Sequence, residues 1–249
     1  MSELLRAPGG EESALRERLR WLRERIETAA RRSGRDPAAV RIVGAAKRQP
    51  AERVAAAVRA GLRDLGENYV QEAISKRLKI NEILGPELGG SVAWHGIGHV
   101  QTNKARAAAL IFDRLHTLDS LRLAEALDRE SARAGRVLPV LLQVNLSREP
   151  QKSGAEPDAL PEIVEGLRGL EHLRAVGLMT MPAPAADPEA ARPAFARLRQ
   201  LAAALRAQPG GEQLAELSMG MSDDFEVAVE EGATWIRIGT ALFGVRQGA

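Results

Sequence analysis

Lys47 closes a short apolar run, Arg41-Ile42-Val43-Gly44-Ala45-Ala46, and is followed at once by Arg48-Gln49-Pro50. An amine at the end of a buried strand loses hydration in its charged form, which favours the neutral form. A neutral amine is a nucleophile and condenses with a carbonyl to give a Schiff base. The choice of basic residues sharpens the point. Thirty arginines stand against five lysines, Lys47, Lys76, Lys79, Lys104 and Lys152. Where arginine is the ordinary cation, a lysine points to a task that a guanidinium cannot perform. The plain alternative is a strand-end lysine whose stem packs while its amine reaches water.

Two further groups of residues carry chemistry. Leu217-Ser218-Met219-Gly220-Met221-Ser222 precedes a helix expected from near Asp223, and Ile238-Gly239-Thr240 ends the last apolar run. Glycines let the backbone approach an anion, hydroxyls donate hydrogen bonds, and helix N-termini add a favourable dipole. Together these residues read as a phosphate cradle, with simple helix capping as the alternative for Ser222. Arg237 alternates with Trp235 and Gly239 and so shares their face of a strand. A guanidinium facing inward is costly without a partner. Opposite a pyridine ring it would donate to the ring nitrogen and leave that nitrogen without its own proton. Such a ring is a weak electron sink, which argues against transaminase-type chemistry. A structural salt bridge is the alternative.

Several other classes of function find no support. Gly96-Ile97-Gly98 lacks the third glycine of a dinucleotide fingerprint. His95 and His99 are four apart, but the intervening glycines disfavour a helix and no third ligand is in sight, so no metal site is expected. With no cysteine, disulfides and thiolate chemistry are excluded. Aromatic residues make up 3% of the chain, too few for base-stacking platforms, and 33 acids are interleaved with 35 bases to a net charge of +2. No nucleic-acid partner is expected. Neither a signal peptide nor a membrane span is apparent, so the expected setting is the cytoplasm.

These residues need elements to hold them. Leu15, Leu19, Leu22 and Ile26 make one apolar stripe, which predicts a helix over 12–32. Thereafter short apolar runs alternate with helical stretches. Strands are expected at 41–46, 62–65, 92–97, 114–117, 138–145, 175–179, 214–219 and 235–239. Helices are expected at 51–60 with Pro50 at the first helical position, and at 68–84, 101–109, 120–134, 157–168, 188–207 and 223–231. Eight strand–helix units in 249 residues suit a (β/α)8 barrel, with a doubly wound sheet as the competitor. In a barrel the strand ends share one mouth, so Lys47, Glu67-Asn68, Gly98-His99, Asn145, Met179-Thr180, Ser218 to Ser222 and Gly239-Thr240 would converge there.

The motifs Gly66-Glu67-Asn68-Tyr69-Val70-Gln71-Glu72, Trp94-His95-Gly96-Ile97-Gly98-His99-Val100-Gln101-Thr102-Asn103-Lys104, Gln143-Val144-Asn145 and Lys152-Ser153-Gly154 stand along the chain. With Gly177-Leu178-Met179-Thr180, the Ser218 to Ser222 segment and Arg237-Ile238-Gly239-Thr240, they resemble the pyridoxal phosphate homeostasis proteins, relatives of the alanine racemase barrel domain. The resemblance runs from about residue 12 to residue 246. It implies a single TIM-type (β/α)8 barrel with an extra N-terminal helix, the fold type III barrel of pyridoxal phosphate (PLP) proteins, as one domain over 1–249. It also implies PLP as a Schiff base on Lys47, phosphate contacts from Ser218, Gly239 and Thr240, and Arg237 at the ring nitrogen. Asn68 and His99 would lie near the cofactor, with Ser222 a further candidate. Where that family usually has Ser or Thr beside the lysine, this chain has Ala46 and Arg48, and it has Gly96 where an aromatic residue is usual.

Two functions fit the resemblance. One is a PLP-binding carrier that holds the cofactor and passes it on, to PLP-requiring apo-enzymes among others, without turning over a substrate. The other is an amino-acid racemase with Lys47 as one base. Racemisation by two bases needs a second group on the opposite face of the substrate carbon. Alanine racemases supply a tyrosine from a second domain, for which this chain is too short. Its one tyrosine, Tyr69, belongs to the second strand-end motif. A monomeric carrier is the expectation.

Overall fold

Apolar runs covered on both faces pair with neighbours like themselves, and the runs of this chain do so in sequence order. In the computed structural model, which describes residues 8–147 and 153–244, the strands are β1 (Arg41–Ala45), β2 (Asp64–Glu67), β3 (Ala93–Gly96), β4 (Arg114–Leu118), β5 (Leu138–Gln143), β6 (Leu173–Met179), β7 (Glu216–Ser218) and β8 (Trp235–Ile238). All neighbours are parallel, and β1 pairs with β8 to close the barrel. The closed barrel, and not the doubly wound sheet, is the fold.

A helix follows every strand: α2 (Ala51–Arg59), α3 (Val70–Gly90), α4 (Ala105–Ile111), α5 (Leu121–Arg133), α6 (Leu160–Leu167), α7 (Arg192–Arg206), α8 (Phe225–Glu230) and α9 (Thr240–Phe243). The additional helix α1 (Pro8–Arg32) precedes them and packs on α2, α8 and α9. Its stripe of Leu15, Leu19, Leu22 and Ile26 is buried, with Ala29 and Ala30 extending it. Its polar face is tied down too: Arg32 bonds Glu230 at 2.8 Å, and Arg25 pairs with Glu226 on α8. The main core lies between the strands and this ring of helices. Among the described residues no helix is long and apolar enough to cross a membrane.

Most boundaries shift by a few residues from the sequence expectation, and four of the differences have a local cause or consequence. Helix α1 begins at Pro8, four residues early. Strand β2 starts at Asp64, because Leu62 belongs to the turn that packs on Gly44 rather than to the sheet: a Cβ on Gly44 would meet Leu62 at 2.6 Å. Pro50 is the N-cap of α2, with extended backbone (ψ 145°), and not its first helical residue. Helix α3 continues past residue 84 through a break at Gly85, whose φ of +75° only glycine adopts readily, and Pro86 restarts it.

Candidate functional site

Lys47 stands two residues beyond β1, half-buried in a turn that leads to α2. The next residue, Arg48, is the one non-glycine with positive φ (59°) among the described residues, a region sparsely occupied by L-residues. Helix α3 holds this turn. The Lys76 ammonium donates to the carbonyl of Ala46 at 2.6 Å, to Glu67 Oε1 at 2.5 Å and to Glu72 Oε1 at 2.9 Å. The Arg48 N–H donates to the same Glu72 oxygen at 2.6 Å. The peptide groups on both sides of Lys47 are therefore anchored to one buried cluster. Burial raises Glu67 to about 7 against the pull of Lys76, and its Oε2 has no hydrogen-bond partner among the described residues. Glu72, despite the opposing cost of partial burial, is held below its ordinary value by Lys76 and the Arg48 N–H. Glu67 thus turns to Lys76 on α3 instead of joining the mouth, contrary to the sequence expectation.

Asn68 follows β2 directly, and the loop after β3 lies against it. A Cβ on Gly98 would sit 2.5 Å from the Asn68 carbonyl oxygen, so only glycine allows the approach. The Thr117 hydroxyl fixes that loop by donating to the Gly98 carbonyl at 2.8 Å. His99 stays half-exposed at the rim, its Nδ1 3.1 Å from Asp119. Asn145 is buried just beyond β5 and donates to Glu156 at 3.4 Å. Lys152 lies outside the described residues.

Arg237 reaches into the barrel from β8. Its guanidinium donates to Ser218 Oγ at 2.7 Å and to the Thr180 carbonyl at 3.0 Å. Burial lowers it to about 10, with Asp224 opposing, so it remains a cation at neutral pH. No carboxylate salt bridge holds it among the described residues. Ser218 is fully buried and turned inward, with its Oγ also 2.8 Å from His116 Nδ1.

The loop after β7 is zipped to β8: Met219 N–H donates to the Trp235 carbonyl at 3.1 Å and Arg237 N–H to the Gly220 carbonyl at 2.9 Å. Gly220 has φ +92°, and a Cβ there would meet Ala228 at 2.6 Å, so the loop requires glycine at that point. Helix α8 starts at Phe225 rather than 223, and Ser222 does not cap it. Ser222 Oγ instead accepts from the N–H groups of Gly239 at 3.3 Å and Ala241 at 3.1 Å, joining the two loops. Its own hydrogen remains to donate. Helix α9 is a single turn of four residues, so what Gly239 and Thr240 offer is individual N–H groups and a hydroxyl rather than a large dipole.

Of the eight residues expected to hold the cofactor, Lys47, Asn68, His99, Ser218, Ser222, Gly239 and Thr240 lie at or beyond the C-terminal ends of β1, β2, β3, β7 and β8, and Arg237 one residue before the end of β8, on the functional face of this fold. A hollow of about 410 Å³ lies at the opposite end, between α1 and the starts of β1 and β2, lined by residues that include Arg23, Arg41 and Asp64. Sequence reasoning missed Lys76, Glu72, His116 and the inward role of His95. Of these, only the scarcity of lysine and the alternation of Arg114 with His116 left a trace in the sequence.

The barrel with this donor-lined mouth defines the alanine racemase N-terminal domain class, whose family description matches residues 13–247. The chain is 44% identical to a pyridoxal phosphate homeostasis protein of Pseudomonas aeruginosa, covering 94% of this chain and 96% of that one. It is 41% identical to the Escherichia coli K12 protein of the same name, over 92% and 95%. It therefore belongs to the family of pyridoxal phosphate homeostasis proteins. Among solved structures it resembles PipY of Synechococcus elongatus, described with PLP bound, at 38% identity and a TM-score of 0.80, over 92% of this chain and all of that one. An alanine racemase of Corynebacterium glutamicum, at 15% identity and a TM-score of 0.67, shares the fold over 62% of its own length.

Proposed function

We propose that this chain carries pyridoxal phosphate as an exchangeable Schiff base on Lys47 and turns over no substrate of its own. The supporting observation is the donor set on three adjoining strands. The Lys47 amine follows β1, the Arg237 guanidinium stands on β8, and the Ser222, Gly239 and Thr240 groups join the loops after β7 and β8. These donors answer, in turn, an aldehyde, a ring nitrogen and a phosphate. The cofactor supplies the electrophilic aldehyde, and the protein supplies binding and orientation. Arg237, a cation at neutral pH, would donate to the ring nitrogen and deny it a proton of its own. Ser218, also expected at the phosphate, bonds Arg237 and His116 here, while Asn68 and His99 would lie near the cofactor. That PipY is described with PLP bound supports the same reading.

The racemase alternative needs a second base. Tyr69, the one tyrosine, precedes α3 with 60% of its surface exposed and no place inside the barrel, which favours the carrier. The reading extends to a single PLP-binding domain over 1–249, a monomer in the cytoplasm, with PLP-requiring apo-enzymes as recipients and neither nucleic acid nor membrane as partner.

The test is the visible spectrum of the purified protein before and after borohydride, with mass mapping of the reduced adduct. The expected result is a band lost on reduction and a mass on Lys47. Lys47→Ala keeps the fold and loses the covalent cofactor. An adduct that persisted in this variant would move the attachment to Lys104 or Lys152. A colourless protein that takes up no added PLP would end the cofactor reading.

A further inference from the structure

A line of hydrogen bonds crosses the inside of the barrel through five strands. Asp64 Oδ1 on β2 lies 2.9 Å from His95 Nε2 on β3. His95 Nδ1 lies 2.9 Å from His116 Nε2 on β4. His116 Nδ1 lies 2.8 Å from Ser218 Oγ on β7, which accepts from Arg237 on β8. Both imidazoles and Ser218 are buried, and Trp235 packs against both rings, with centroids at 5.0 and 5.9 Å. Asp64 lines the hollow at the far end of the barrel. The line therefore joins that hollow to the ring-nitrogen partner.

Its direction is fixed by chemistry. A guanidinium only donates, so Ser218 Oγ accepts from Arg237 and its own hydrogen goes to His116 Nδ1. A neutral imidazole carries one N–H, which on His116 must then be at Nε2 and point to His95 Nδ1. The His95 hydrogen is left on Nε2, facing the Asp64 carboxylate. The opposite order would orphan the Ser218 hydrogen and set a bare ring nitrogen against a carboxylate. Burial, with the charges of Arg237 and Arg114, holds His116 well below the ordinary histidine range, so it stays neutral.

We propose that His116 and His95 are positioning residues for the cofactor's ring-nitrogen partner. They commit the Ser218 hydrogen to His116, so that Arg237 meets only lone pairs on Ser218 Oγ and keeps for the ring the N–H groups not given to Ser218 and Thr180. This rests on the cofactor reading above, but the order of the hydrogens is a property of the protein alone.

The experiment has two arms. Imidazole nitrogen NMR on the wild-type protein without added PLP is expected to find both rings as Nε2–H tautomers at about pH 7. A Nδ1–H tautomer or an imidazolium at His116 would overturn the proposal. In the second arm, release of covalently held PLP is followed for H116L and H116N. Leucine removes the acceptor behind Ser218 and is expected to speed release roughly tenfold. Asparagine places an oxygen near the Nδ1 position and is expected to stay within about twofold of wild type. Equal release by wild type and both variants, or equal loss in the two variants, would also overturn it. Should wild type bind no PLP, the cofactor reading fails while the NMR result still decides the order of the hydrogens.

Discussion

At the turn carrying Lys47, one buried ammonium replaces the solvent that would otherwise satisfy two carboxylates and a carbonyl. Removing it leaves Glu67 buried with no counter-ion, a loss of about 3–5 kcal/mol in stability. Lys76→Met is therefore expected to lower the urea midpoint sharply. Lys76→Arg is not expected to restore it, since a planar fork cannot aim at the three acceptors around a point charge. Burial sets a pH dependence as well: Glu67 rises from 4.5 to about 7 in the folded chain. Between those values the folded chain keeps a proton that the unfolded chain has released, so stability falls as pH rises through the window. Glu67→Gln is expected to flatten that slope when urea midpoints at about pH 5 and about pH 8 are compared. Lys47 and Arg237 were legible in the sequence because each ends or alternates within an apolar run. Lys76 was legible only as a rare residue type. Its partners come from β2, α3 and the turn after β1, and nothing local places them together.

The elements were legible where periodicity is strong. The stripe of α1 and the alternation of strands with helices gave all eight units. What failed was local: Leu62 is apolar yet lies outside the strand, and α8 starts after Asp224, whose carboxylate accepts from Met221 N–H at 2.6 Å in the preceding loop, while Ser222 bonds the loop after β8 instead of capping the helix. Helix α1 is held in two ways of unequal weight. Leu22 is fully buried, and Leu22→Ala is expected to cost about 2–5 kcal/mol in urea unfolding. Glu230 bridges Arg32 on α1 and Arg192 on α7, at 2.8 and 2.6 Å. These partners are partly exposed, so Glu230→Ala is expected to cost about 1 kcal/mol or less, and less still at high salt.

Across the whole molecule, closure of the barrel brings together residues that the chain separates widely. The inner polar line was beyond reach of the sequence, because His95 and His116 meet only when β3 pairs with β4 and the strands curve round to β7. The three bonds made by Lys76 have a consequence for the chain as a target of reactive aldehydes. A guanidinium forms no stable imine, and most cations here are arginine. Lys76 approaches the Lys47 turn more closely than any surface amine need do, yet all three of its hydrogens are engaged, leaving no lone pair to attack a carbonyl. At this turn, labelling by an aldehyde should therefore fall on Lys47 and not pass to Lys76.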